Sequence, residues 1–307
     1  MSGYRSPTGA DDYAAACDGR REHPMAERSD PSALRWLIGV ELRNYRTRAG
    51  QTLANAAKAL DCSTGLVGHF EKGLYFPQPE QIAGLLGFYG APAWDVERLS
   101  ALAGRADQRT WLAPWNDIIP DWHKTYVGLE GLAAHEIAYM PLVLHALTQT
   151  QEYSIGATAG SARVRPDQVE RLVGLRMERQ RRLFSDTDPL RLTAIIEESV
   201  LDRPIGGVVT MREQLQHLVT LSARDNVDIL VLPTAVGRHD SVEGKFSVLH
   251  FEQAQSIGYI EYADGAIYVQ DQDQVAAYTR TAESLCSVAL PPRESVEAIA
   301  ARLLASE

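Results

Sequence analysis

Side chains capable of acid–base chemistry gather in four short stretches of the sequence after residue 134. The groups are His135 with Glu136, His145 near Gln149 and Tyr153, the adjacent Glu197 and Glu198, and the loop GRHDSVEGKF with His239, Asp240 and Glu243. Imidazoles and carboxylates are the usual general acids and bases, so an enzyme built on this chain would use His145, Glu197 or His239. The spacings match no zinc-protease motif, nucleophile elbow or phosphate loop, and the sequence predicts no metal and no cofactor.

Each of these groups also has a structural interpretation. A histidine on a helix is more often part of a surface or a core than of a site, and adjacent carboxylates on a strand point to opposite faces. A small-molecule site needs apolar and aromatic walls with a few polar groups. The residues predicted to line one are Tyr139, His145, Phe246 and Tyr262. The loop TAVGRHDSVEGKF is either a lid over such a site or an ordinary surface loop.

Apolar runs predict five strands after residue 185, whereas residues 107–185 are predicted to be mostly helical. The strands are LRLTAIIEESVL, VDILVLP, KFSVLHFE, IGYIEYAD and AIYVQD, with one helix between the first two and one after the last. Short links favour antiparallel pairing among the later strands. The helix RPDQVERLVGLRMERQRRLFS is predicted to turn Val169, Leu172, Leu175 and Met177 inward and its arginines to solvent. The result is an α+β domain with a mostly antiparallel sheet.

The first third of the sequence contains apolar residues at helical spacing and the residue types that begin and end short helices. In LDCSTGLVGHFEKG, Asp61 tolerates a left-handed turn, Ser63 can cap a helix and Gly73 can end it. Further helices are predicted in WLIGVELRNYRTRAG, TLANAAKAL, PEQIAGLLGFYG and AWDVERLSALAGRA, which gives five helices up to about Ala106. The tight link between the second and third helices indicates a helix-turn-helix domain.

The spacing from ELRNYRTRAG through EKG to FPQPEQIAGLLGFYG resembles the XRE (Cro/repressor-like) helix-turn-helix regulators. The later segments WHKTYVGLEGLAAHEIAYMPLVLHALTQTQEYS, RPIGGVVTMREQLQHLVTLSARDNVDILVLP and GYIEYADGAIYVQD resemble the uncharacterised domain that follows this motif in a large group of actinobacterial regulators. The resemblance runs from about residue 33 to 304. It implies a transcriptional regulator that binds DNA as a homodimer and whose C-terminal domain senses a small molecule or binds a small partner protein.

The recognition helix departs from that family. Leu53 stands where such regulators usually carry a Gln that clamps DNA, and Gly65 and Gly68 fall in the helix that should read bases. In one interpretation, DNA is held mainly through phosphates and read weakly. The residues that would contact phosphates are Arg43, Arg46, Arg48, Lys58 and Lys72. Thr64 and His69 would read the bases. In the other, DNA reading has been lost, and the protein is a small-molecule-binding protein or an enzyme of a biosynthetic pathway.

Composition limits the classes of function and the cellular location that the sequence allows. The 307 residues carry a net charge of -10, opposite in sign to the field that attracts phosphates, so a DNA-binding face must be local. Three scattered cysteines and the lack of a run as long as a membrane span favour a cytoplasmic protein without membrane contact. We predict a disordered tail over residues 1–31, a helix-turn-helix domain over 32–106, and an α+β ligand- or partner-binding domain over 107–307.

Overall fold

A computed structural model describes residues 30–104 and 111–305. Residues 1–29, which make up most of the predicted tail, lie outside the described residues. The helices are Pro31–Arg48 (α1), Leu53–Ala59 (α2), Thr64–Glu71 (α3), Pro79–Phe88 (α4), Ala93–Ala103 (α5), Asp121–Leu132 (α6), Gln151–Ala159 (α7), Val169–Gln180 (α8), Glu198–Leu201 (α9), Val208–Leu221 (α10), Gln272–Val288 (α11) and Pro292–Ala305 (α12). The strands are His135–Met140 (β1), Arg191–Glu197 (β2), Val227–Leu232 (β3), Phe246–His250 (β4), Ile257–Tyr262 (β5) and Gly265–Val269 (β6).

Helices α1 to α5 form the helix-turn-helix region, and its turn follows the sequence signals. The Ser63 hydroxyl accepts a hydrogen bond from the backbone N–H of Leu66 at 3.2 Å and so caps α3. Asp61 has a φ of 50°, and Gly73, just after α3, has a φ of 65°. The predicted cap, left-handed turn and helix end are confirmed.

Helix α3 lies very close to α1 because a glycine occupies the contact. A Cβ added at Gly39 would lie 2.4 Å from the carbonyl oxygen of Phe70, so a larger residue could not be accommodated without a backbone shift. Val67 and Phe70 fill the core between the five helices, together with Leu34, Ile38, Leu42, Ile82, Leu85, Leu86 and Leu99. The position of the recognition helix is therefore fixed by α1.

The second part of the chain is built on a mixed sheet with the strand order β3-β2-β1-β4-β5-β6. The pairs β1–β2 and β2–β3 are parallel, and the pairs β1–β4, β4–β5 and β5–β6 are antiparallel. The predicted fold class, a five-helix helix-turn-helix region followed by an α+β domain with a mostly antiparallel sheet, is confirmed. The sequence prediction missed β1, which lies in the segment expected to be mostly helical.

Helices cover both faces of this sheet. Helices α6, α7, α8, α10 and α12 contribute to the core on one face, and α11 packs on the other. Because side chains alternate along a strand, Glu136, Ala138 and Met140 of β1 share the first face, and Ile137 and Tyr139 share the second. The two faces therefore carry different candidate residues.

Helix α1 is part of two cores at once. One side packs among α2 to α5, and the other packs against the C-terminal domain through Ala33, Leu37 and Val40. Close contact with α6 requires a glycine, because a Cβ at Gly128 would lie 2.6 Å from the Cβ of Ala33. The two parts of the chain are joined through a shared, well-packed helix.

A buried charged cluster fixes the same junction. Arg98 of α5 forms ion pairs with Glu41 of α1, at 2.6 Å, and with Asp95. Arg98 also donates to the carbonyl oxygen of Gln253, and the backbone N–H of Gln255 donates to the Glu41 carboxylate at 2.9 Å. The loop between β4 and β5 is thereby bound to the helix-turn-helix region.

The prediction that the arginines of RPDQVERLVGLRMERQRRLFS are solvated is wrong at Arg179, in α8, and at Arg182, just after α8. Arg179 and Arg182 are each only 4% exposed. Arg179 is bound by Glu130, and Arg182 by Asp188 and by backbone carbonyls. Sequence reasoning treated charge as a sign of exposure, whereas these charges are paired inside the domain. Within residues 30–104 and 111–305, no helix is both long and apolar enough to cross a bilayer.

Candidate functional site

The outer face of α3 offers few groups for reading DNA. Thr64, Gly65 and Lys72 are exposed, and Gly68 and His69 are half-buried. The His69 ring packs edge-on against Tyr75, with 4.7 Å between ring centroids. None of these side chains has the bidentate amide or guanidinium that identifies a base pair in the major groove.

The two glycines of α3 have open space around them. An added Cβ at Gly65 would lie 3.9 Å from the Ser63 hydroxyl, and one at Gly68 would lie 4.0 Å from a methyl group of Leu53. Both distances are ordinary van der Waals contacts. Packing among the described residues therefore does not require glycine at either position.

The cationic candidates of this region fall into two groups. Arg43, Arg48, Lys58 and Lys72 are exposed and form no ion pair with any described residue. Arg46 is different, since its Nε and Nη2 both bind the Glu71 carboxylate, at 2.6 and 2.8 Å. The first four are available to phosphates, whereas Arg46 is engaged in joining α1 to α3.

Three of the catalytic and ligand candidates meet where β1 and β2 end. The Tyr139 hydroxyl donates to the Glu197 carboxylate at 2.7 Å, and His239 Nε2 lies 3.1 Å from the same oxygen. The backbone N–H of Ser241 donates to His239 Nδ1 at 3.2 Å, which leaves the ring proton on Nε2, facing Glu197. Burial and the hydrogen bond to Glu197 raise the pKa of Tyr139. The cluster is a carboxylate held by two donors.

A separate cavity of about 150 Å³ lies on the opposite face of β1. Its walls come from α6, α8, β1, β4, β5 and the segment 143–149. Of the predicted ligand residues, His145 and Phe246 border it, but the Phe246 ring packs against Tyr139 and Tyr278 on the other face of the sheet. Tyr139 faces the other side of the sheet, and Tyr262 is 54% exposed at the β5–β6 turn. The predicted ligand set is thus divided among three places.

Three basic side chains that the sequence prediction missed give the wall of this cavity a net positive charge. Arg176, Arg179 and Lys245 line it, against one acidic residue, Glu261, which lies 3.5 Å from Lys245. Burial, followed by the charges of Arg179, Arg176 and Lys245, lowers the pKa of His123 to about 3. The imidazole in this wall is therefore neutral and lies in a positive field.

Behind the wall, Glu130, Glu136 and His145 bring their ligand atoms within 4.8 Å of one another, as a metal site would. The donor set does not fit a metal. Both Glu130 oxygens are bound by Arg179, at 2.9 and 2.5 Å. His145 Nδ1 accepts from the backbone N–H of Leu147, so Nε2 carries the proton and lies 3.4 Å from Glu136 as a donor. These groups form a hydrogen-bonded network instead.

Glu136 is the buried centre of that network. Tyr126 donates to it at 2.7 Å, and it is wholly buried on β1. Although burial alone would raise its pKa, the interaction with His145 and the hydrogen bonds from its neighbours lower the pKa. Glu136 is thus held as an anion and fixes the positions of Tyr126 and His145 in the cavity wall.

A row of aromatic rings runs from the cavity to the helix-turn-helix region. Tyr126 and Tyr259 stack at 4.1 Å, Tyr259 lies 5.3 Å from Tyr268, and Tyr268 lies 5.0 Å from Trp36 of α1, all between ring centroids. A Cβ at Gly73, directly after α3, would lie 2.6 Å from the Cα of Trp36. The cavity wall is therefore connected by packing to the end of the recognition helix.

Comparison with protein-family models gives two matches. Residues 37–99 match a helix-turn-helix domain, and residues 123–301 match a domain of unknown function, DUF5753. The helix-turn-helix match indicates a DNA-binding regulator. Because the second match covers more than half of the chain, the protein belongs to the DUF5753 family. No curated protein and no solved structure matches the chain.

Proposed function

We propose that this protein is an XRE-type transcriptional regulator whose C-terminal domain binds a small molecule and thereby controls DNA binding. The cavity supports a small molecule over a protein partner as the signal, because its polar groups converge on one concave space rather than spread over a flat surface. We expect a homodimer in the cytoplasm, as is usual for regulators of this kind that bind paired half-sites.

The observation that carries the proposal is the membership of α1 in both cores. A ligand that shifts Tyr126 or Tyr259 would act on Tyr268 and Trp36 through direct contacts. Trp36 in turn lies against Gly73, and Arg35 donates to the Gly73 carbonyl oxygen. A change in the cavity therefore has a short physical route to α3.

The experiment is a DNA mobility shift with the protein's own upstream region. The double substitution Arg43→Glu and Arg48→Glu should abolish binding, because both side chains are exposed and unpaired among the described residues. His69→Ala should change binding by less than about threefold, since no base-specific geometry is expected of this ring. Arg46 is left intact because its removal would leave Glu71 unpaired.

Arg293→Glu is the matched control. It reverses one charge, against two in the double variant, at a side chain of α12 that is 91% exposed, and it should leave DNA binding unchanged. Equal losses from His69→Ala and from the double variant would mean that His69 reads a base. Absence of binding by the wild-type protein would contradict the regulator proposal.

A second candidate function is a helix-turn-helix protein that has lost DNA reading and acts on a small molecule. It is favoured by the lack of a base-reading side chain on the outer face of α3 and by the Tyr139–Glu197–His239 cluster. Mass spectrometry of a molecule incubated with the protein distinguishes the two candidates. Chemical conversion that His239→Ala or His145→Ala abolishes would establish an enzyme, whereas recovery of the molecule unchanged would support a sensor.

A further inference from the structure

Two arginines one turn apart on α8 are treated differently by their surroundings. Arg179 uses Nε and Nη2 to bind both oxygens of Glu130, which is the bidentate geometry that guanidinium and carboxylate groups prefer. Arg176 is held only through Nη1, by the hydroxyl and carbonyl oxygens of Ser154 and by the Thr158 hydroxyl at 2.5 Å. Its Nε and Nη2 donate to no described residue.

The free edge of Arg176 is unusual because the residue is buried enough for its charge to be costly. Burial and then the nearby charge of Arg179 lower the pKa of Arg176 to about 10, against a smaller opposing effect of the Glu261 carboxylate. Among the described residues, no acidic side chain forms an ion pair with it. Ser154 and Thr158 are themselves buried and hold the guanidinium in place. A fixed, half-buried cation in the wall of a cavity is a ready site for an anion.

Other polar atoms of the cavity wall also lack partners. His123 Nδ1, Gln149 Oε1 and the Tyr259 hydroxyl line the cavity, are shielded from bulk solvent, and make no hydrogen bond to described residues. Buried polar groups are normally satisfied, so a bound molecule or water must supply their partners. Gln149 can accept and Tyr259 can donate, which suits a ligand with polar groups of both kinds.

The size of the cavity limits what can fill it. A volume of about 150 Å³ accommodates a body of roughly six to ten non-hydrogen atoms, since a designed apolar cavity of this size takes up benzene. Tyr126, Tyr259, Met140 and Val143 contribute apolar wall. A flat or aromatic body would contact these surfaces well.

We propose that this cavity binds a small organic carboxylate, whose two oxygens occupy the free Nε–Nη2 edge of Arg176 as Glu130 occupies that of Arg179. The inference rests on the proposed sensory function of the C-terminal domain and names the ligand class. Lys245 adds a second positive charge at the same wall, while Tyr259 and Gln149 bond the remaining polar groups of the ligand.

Isothermal titration calorimetry of the full chain tests this with two pairs of probes that differ mainly in charge. Benzoate and phenylacetate should bind at least about tenfold more tightly than benzamide and phenylacetamide, which is the effect of about one charge-assisted hydrogen bond. Arg176→Gln should weaken the binding of the carboxylates by about the same factor. Arg176→Lys, which keeps the charge and loses the bidentate edge, should give a smaller loss.

Arg181→Gln is the matched control, because its side chain is 72% exposed just beyond α8 and should leave carboxylate binding unchanged. Equal binding of acids and amides, or unchanged binding by a folded Arg176→Gln protein, overturns the proposal. So does failure of both carboxylates to bind, and so does binding of inorganic phosphate in their place. If Arg176→Gln does not fold, the test relies on two other measurements. These are the ratio of acid to amide affinity in the wild-type protein and the carboxylate affinity of the Arg176→Lys variant.

The titration contains no DNA, so its outcome is independent of the mobility shift. Carboxylate binding without DNA binding would support the proposed carboxylate site and contradict the proposal that the protein is a regulator. DNA binding without carboxylate binding would support the proposal of a regulator and contradict the proposal that its ligand is a carboxylate. Adding benzoate to the mobility shift then measures whether the two sites are coupled, since a ligand that prefers one conformation must change DNA affinity.

Discussion

The outer face of α3 and the wall of the cavity use polar side chains in opposite ways. At α3, Thr64 is exposed, and Lys72, directly after the helix, is exposed and forms no ion pair with a described residue. In the cavity wall, Arg179 is 4% exposed and is bound at both ends of its fork by Glu130. Fixed, desolvated groups discriminate between ligands more strongly than mobile exposed ones, because an unmatched buried group is costly. We therefore expect more chemical specificity in the C-terminal domain than on the reading face.

The sharpest way to break this comparison is to remove one partner of the buried ion pair. Glu130→Gln leaves the Arg179 charge buried without a carboxylate, so it should lower the free energy of unfolding by about 3–5 kcal/mol. Urea unfolding of the full chain at pH 7 measures the loss. Replacing both partners by apolar residues, Glu130→Leu with Arg179→Met, should cost less than Glu130→Gln alone.

Glu297→Gln provides the control for that substitution. Glu297 pairs with Arg293 at 3.1 Å on the surface of α12, and both side chains are mostly exposed. Its loss should change stability by less than about 0.5 kcal/mol. A similar small effect from Glu130→Gln would show that Arg179 is solvated, and the cavity wall would then resemble the face of α3.

The next largest effect concerns pH, through His123 in the cavity wall. Its pKa is lowered from 6.5 to about 3, so the unfolded chain takes up a proton below pH 6.5 and the folded chain does not. The stabilisation is complete above pH 6.5 and is lost as the pH falls towards 3. The expected loss between pH 7 and pH 5 is on the order of 2 kcal/mol.

Unfolding free energies at pH 7 and pH 5 check this for the wild-type protein and for His123→Phe. The substitution should remove about 2 kcal/mol of the difference between the two pH values. His135, whose pKa is lowered to about 4 mainly by burial, should retain a second contribution of the same sign. If His123→Phe leaves the pH dependence as it is, the imidazole titrates normally and the wall is not desolvated.

The sequence was informative wherever a local rule decides the structure. Ser63, Asp61 and Gly73 act through their own backbone or a neighbour a few residues away, and all three behave as predicted. The later strands also follow their apolar runs. These signals are short-range, so no knowledge of the tertiary structure is needed to use them.

The cavity could not be predicted in the same way because its buried positions carry charged residues. β1 turns Glu136 inward, and a buried carboxylate gives the strand a polar pattern. On α8, Arg176 and Arg179 are in phase with the apolar Leu172 and Leu175, a signal that would have placed both inward had charge not been taken as exposure. Which carboxylate meets which arginine depends on long-range packing between α6, α8 and the sheet.

A smaller effect tests how the reading face is held. Ser63→Ala removes the cap of α3 and should lower the free energy of unfolding by about 1 kcal/mol. Thr64→Ala removes a hydroxyl one residue further along, outside the cap, and should change it by less than about 0.5 kcal/mol. Thermal or urea unfolding without DNA separates the two. Equal effects would mean that the Ser63 hydroxyl contributes no more to stability than the neighbouring exposed hydroxyl, and the cap would not fix the start of the helix.

The smallest expected effect tests whether the face of α3 is open. Gly65→Ala and Gly68→Ala should each raise the free energy of unfolding by roughly 0.5–1 kcal/mol, because alanine restricts the unfolded chain and an added Cβ meets no close atom at either position. Gly39→Ala is the matched control in a helix interior: its Cβ would lie 2.4 Å from the Phe70 carbonyl oxygen, so it should destabilise the protein. A loss of stability at Gly65 or Gly68 that grows with protein concentration would reveal a second chain packed on α3. The outer face would then be an interface built by close contact, and its glycines would be as necessary as Gly39.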